Sequence, residues 1–95
     1  MSIYTSKLQE IARYSAKIDN ASVKESDFVA LQKLSDSIID GYNKGYFSLR
    51  QRGVLRSAVE MLINDCRDVL RVNAEIKRIS AEIRKEKLAE LRSAI

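Results

Sequence analysis

Residues 48–92 read SLRQRGVLRSAVEMLINDCRDVLRVNAEIKRISAEIRKEKLAELR. The stretch opens with Ser48-Leu49-Arg50-Gln51, the serine-to-glutamine spacing of a capping box, in which side chain and backbone bond each other reciprocally at a helix start. Val54, Leu55, Ala58, Val59, Leu62, Cys66, Val69 and Leu70 then recur at helical spacing. Val72, Ile76, Ile79 and Ile83 continue the series, followed by Leu88, Leu91 and Ile95, and no Pro or Gly interrupts it after Gly53. One unbroken helix over this stretch spans about 65 Å at 1.5 Å per residue. The chain is therefore expected to be all-α, organised around this helix.

Working back from Ser48, Gly45 is positioned to end the preceding helix, because glycine accepts the left-handed conformation that follows a helix. That helix carries Phe28, Leu31, Leu34, Ile38, Ile39 and Tyr42 on one broad face. Ser22-Val23-Lys24-Glu25 reads as its capping box. Upstream, Ser2 is placed to cap a first helix whose stripe is Tyr4, Leu8, Ile11, Ser15 and Ile18. The 95 residues thus form a single helical domain, with helices from about Ile3 to Ile18, Val23 to Asn43 and Leu49 to Arg92. The architecture is a short N-terminal helix followed by a long antiparallel helical hairpin.

Helix two covers only about 30 Å of helix three. Val72, Ile76, Ile79 and Ile83 lie beyond its reach, and helix one can shield only part of them. The coiled-coil series through Leu62, Cys66 and Val69 continues onto the polar Asn73, Ser80 and Lys87, so the apolar face rotates along the helix. An uncovered stripe implies a homo-oligomer assembled through helix three.

Composition supports helix and narrows the chemistry. There are no Pro or Trp and three Gly. With no His and one Cys, the chain lacks the ligands of a structural zinc site and the parts of a Ser-His-Asp or Cys-His centre. No glycine-rich phosphate loop is present, and no cofactor is expected. Cys66 has no internal disulfide partner and reads as a small buried hydrophobe. No apolar run reaches a membrane span, and the N-terminus lacks a signal-peptide core, so a cytoplasmic protein with no membrane partner is expected. Net charge is +4, and the positive balance is C-terminal: residues 1–43 hold five basic and six acidic side chains, residues 71–95 seven and four.

Three places combine residues suited to an anionic ligand. Tyr14 and Tyr4 on helix one, with Lys24 and Ser26 at the start of helix two, combine aromatics, a cation and a hydroxyl near free helix amides. Arg67 and Arg71 form a basic pair one turn apart, suited to an anion on a shared axis of an oligomer. Lys44, Tyr46, Arg50, Arg52 and Arg56 crowd the hairpin turn, and could bind phosphates and stack on bases. The same turn also reads as a simple cap in which Phe47 plugs the end of the bundle.

A short helix and two long antiparallel helices, without catalytic residues, resemble the phage anti-CBASS sponge family. The resemblance implies a helical hexamer in the host bacterial cytoplasm that binds cyclic di- or trinucleotides without cleaving them. Tyr14, Lys24 and Ser26 are similar in kind to the ligand contacts of that family: an aromatic on the first helix and a Lys with a nearby hydroxyl on the second. The resemblance implies a non-enzymatic anti-defence function. The alternative is a small basic helical phage regulator or inhibitor that binds nucleic acid or a host protein complex through the hairpin turn.

Overall fold

The computed structural model describes residues 2–94, and Met1 and Ile95 lie outside the described residues. It contains three helices: α1 (Ile3–Asp19), α2 (Glu25–Asn43) and α3 (Leu49–Ser93). There is no strand among the described residues. α1 begins where Ser2 accepts a hydrogen bond from the Thr5 amide. The Ser48–Gln51 capping box at the start of α3 has both its bonds, at 2.9 and 3.1 Å.

The start of α2 corrects the sequence reading. Helix begins at Glu25 and the capping position is Lys24, so Val23 lies outside it. Ser22 is used by the end of α1 instead: its amide and its hydroxyl both donate to the Lys17 carbonyl. With Ala21 left-handed at φ 53° and its amide bonded to Ile18, this is a Schellman ending built on alanine. The α2 cap comes from Asp27, whose carboxylate accepts the Lys24 amide at 2.9 Å. α2 ends in a second Schellman motif, with Gly45 at φ 83° and the Tyr46 amide donating to Gly41.

The helices run up, down and up. Lys7 Nζ donates to Ser37 Oγ and Lys17 pairs with Asp27, which fixes α1 antiparallel to α2 and so parallel to α3. The core is Ile11, Ile18, Val23, Leu31, Leu34, Ile38, Phe47, Leu55, Val59, Leu62 and Cys66. Leu8, Ile39 and Val54, each on an expected apolar face, are exposed, because the buried stripes are narrower than the apolar ones. Phe47 closes the hairpin end of the bundle: it is buried, and its ring occupies the space where a side chain at Gly41 would begin.

At the other end, Asn73 Nδ2 donates to the Ala21 carbonyl at 3.3 Å. There the head formed by the three helices stops. α3 runs on alone from Ala74 to Ser93, about 30 Å further. The molecule measures 72 × 20 × 17 Å. Every described residue after Asn73 is exposed except the half-buried Ser80. Val72, Ile76, Ile79 and Ile83 are 51, 56, 44 and 48% exposed in this single chain.

Candidate functional site

The start of α2 and the middle of α3 form one wall-to-wall groove of about 370 Å³. Glu25 and Phe28 come from α2; Arg67, Leu70, Arg71 and Ala74 come from α3. The Arg67 guanidinium lies 5.5 Å from the centre of the half-buried Phe28 ring, within cation–π range. Arg71 pairs with Asp68 at 3.1 Å, and both side chains are exposed. An exposed pair of this kind contributes little to stability, so Arg71 can exchange its carboxylate for another anion at small cost. The sequence singled out both arginines. It placed Phe28 in the core stripe, and only the antiparallel register of α2 on α3 brings that ring beneath Arg67.

Lys24 and Ser26 are exposed and adjoin Glu25 in sequence, but neither lines this groove. Tyr14 is elsewhere. It lines a second groove, of about 240 Å³, between α1 and α2, with Lys7, Arg13 and Lys33. Arg13 and Lys17 approach its ring to 5.3 and 5.8 Å. Neither Lys24 nor Ser26 lines that groove, so one chain does not gather the aromatic, the lysine and the hydroxyl into one pocket. Tyr4 is half-buried against the core.

In the first turn of α2, Asp27 is the one buried charged residue among those described. Its carboxylate accepts the Lys24 amide and the Lys17 ammonium at 3.0 Å, and these two bonds hold its pKa below the ordinary 3.8. A lowered folded pKa gives stability that is fully present above the unfolded value and is lost as pH falls through the folded one. The head is therefore expected to weaken below about pH 4. Asp27→Ala removes that part of the acid sensitivity and costs about 1 kcal/mol at neutral pH, the usual size of a lost cap. Denaturant midpoints of both proteins near neutrality and in acid check this.

At the hairpin turn, two of the four cations are already bound to carboxylates. Lys44 pairs with Asp40 at 2.9 Å, which raises its pKa, and Arg56 pairs with Glu60 at 3.3 Å. Arg52 stacks over Tyr42 at 4.5 Å. Arg50 and Tyr46 are exposed. Cys66 is fully buried, and desolvation raises its thiol pKa, the opposite of what a reactive thiolate needs. Among the described residues no group of three or more His, Cys, Asp or Glu is placed to hold a metal ion. No described helix is long and apolar enough to cross a membrane.

Comparison with protein-family models, with curated proteins and with solved structures found no match to this chain.

Proposed function

We propose that this protein binds and sequesters a cyclic oligonucleotide without cleaving it, as a homo-oligomer joined through α3, possessing the anti-defence role of a phage sponge in the host cytoplasm. The observation that carries the reading is the groove holding Phe28, Arg67 and Arg71. An aromatic ring beside two guanidiniums offers both things a nucleotide needs. With Arg67 already over the Phe28 ring, a base stacks on the guanidinium plane that the ring supports. A guanidinium holds phosphate through two parallel bonds. Lys24 and Ser26 are exposed next to Glu25 in sequence and reach the ligand only if assembly brings them to it. Tyr14 stacks on the same ligand only if assembly brings its groove against the Phe28–Arg67 groove of another copy.

Isothermal titration against a panel of cyclic di- and trinucleotides tests this. Binding is expected for at least one of them, with intact nucleotide recovered after the protein is denatured. Arg67→Ala should weaken it about tenfold or more, the size of a lost charged hydrogen bond. Heats no larger than buffer for the whole panel overturn the reading.

A further inference from the structure

We infer that the exposed tail of α3 is one strand of a parallel, in-register coiled coil made with further copies of the same chain. The inference rests on the assembly half of the proposed function and specifies its geometry. Val69, Val72, Ile76, Ile79 and Ile83 are separated by three, four, three and four residues, which is a continuous heptad seam with Val69, Ile76 and Ile83 at a and Val72 and Ile79 at d. This seam is shifted from the Leu62–Cys66 series that enters the core. It starts at the half-buried Val69, where Val69, Val72 and Ile76 line an apolar surface with Ala21 of the α1–α2 corner. It then leaves the head with its other four members about half exposed.

Charge chooses the occupant and its direction. The g positions flanking the seam are Asp68, Glu75 and Glu82, all acidic; the e positions are Asn73, Ser80 and Lys87. An antiparallel pair that stacks Ile76 on Ile79 sets g against g, placing Glu75 of each copy beside Glu82 of the other. Arg78 bonds both glutamates within its own tail, so four carboxylates would share two arginines. The same arrangement puts Glu90 opposite Asp65. A parallel pair sets g against e, placing Glu82 beside Lys87 of the second copy and Asp68 beside the amide side chain of Asn73. Glu86 and Glu90 occupy the next two seam positions and end it at Ile83, after which the tails part. β-Branched residues at both a and d shift parallel coiled coils from two strands toward three or four. Three or four heads then sit side by side at one end of a common stalk.

Cysteine cross-linking of the full chain under mild oxidation tests the direction. Parallel register places position 83 against its own copy, so Ile83→Cys should give a disulfide-linked dimer as the main band on a non-reducing gel. Lys85→Cys, on the opposite side of the tail, should stay unlinked, and the buried Cys66 takes no part. In the antiparallel arrangement position 83 faces position 72, and two 83 thiols lie about 17 Å apart along the axis, far beyond disulfide reach. Linkage in a mixture of Val72→Cys and Ile83→Cys chains between the two variants, with none between Ile83→Cys chains, overturns the proposal. So does the absence of linkage in every sample. A linked Ile83→Cys dimer that gives no heat with any nucleotide overturns the nucleotide reading and leaves the seam standing.

Discussion

Phe47→Ala is expected to destabilise the head by about 3–5 kcal/mol, the usual cost of deleting a buried aromatic ring. Phe47 is 5% exposed, although it lies in the turn between α2 and α3. The turn places it there. Gly45 takes the left-handed conformation, the Tyr46 amide bonds back to Gly41, and the chain is directed so that the next side chain falls across the end of the bundle. The ring fits because Gly41 has no Cβ: one built there would lie 2.5 Å from the Phe47 ring. Alanine at position 47 leaves that cap empty over Gly41 and the core behind it. Small domains are stable by only about 5–15 kcal/mol, so a large share of the total is at stake. Each kcal/mol moves the melting temperature of such a domain by about 4–8 °C, and the drop should therefore exceed about 12 °C. Thermal circular dichroism reads it. A drop of only a few degrees would show that the ring is not the plug its burial indicates.

The second large effect is on assembly. Ile76→Asp with Ile79→Asp should reduce the mass seen by light scattering to that of a single chain, while most of the helical circular dichroism survives. Burying a side chain of this size is worth roughly 1.5–3 kcal/mol, an upper bound where burial is partial. Each copy loses two such contacts and gains two carboxylates that the seam has no partner for. Neither residue belongs to the core of the head, so its unfolding should stay cooperative, with the midpoint lowered only by the loss of assembly. Loss of the head's cooperative transition in this variant would mean that the stripe supports the fold of one chain instead of joining several.

Much of this was legible in the sequence, and the failures are local. The long helix, its capping box at Ser48 and the stop at Gly45 follow from spacing and from residues with a single backbone preference. The mismatch between helices two and three, and with it the uncovered stripe, follows from counting residues. Ser22 misled because two helix ends competed for it. A serine three residues before a glutamate has the form of a start signal, but its amide and hydroxyl were taken by the Lys17 carbonyl, and Asp27 capped α2. Nothing in the local pattern reveals that a left-handed alanine, which costs about 1–2 kcal/mol relative to glycine's freedom, would close α1. The candidate site was half legible. Arg67 and Arg71 stood out as a pair, whereas Phe28 looked like any core position on its helix. Their meeting depends on the register of α2 on α3, which spacing along one helix does not contain. Tyr14 and Lys24 looked like neighbours because they flank one loop, but Tyr14 lines the groove between α1 and α2 and Lys24 does not.

The central claim is that the head is complete in one chain and the tail is completed only by other copies. Sedimentation of the unmodified protein across the micromolar range tests it most directly. The expected result is a species of several 10.8 kDa chains that dissociates on dilution. A single 10.8 kDa species at the highest concentration would contradict it, and with it both the parallel seam and any site shared between copies.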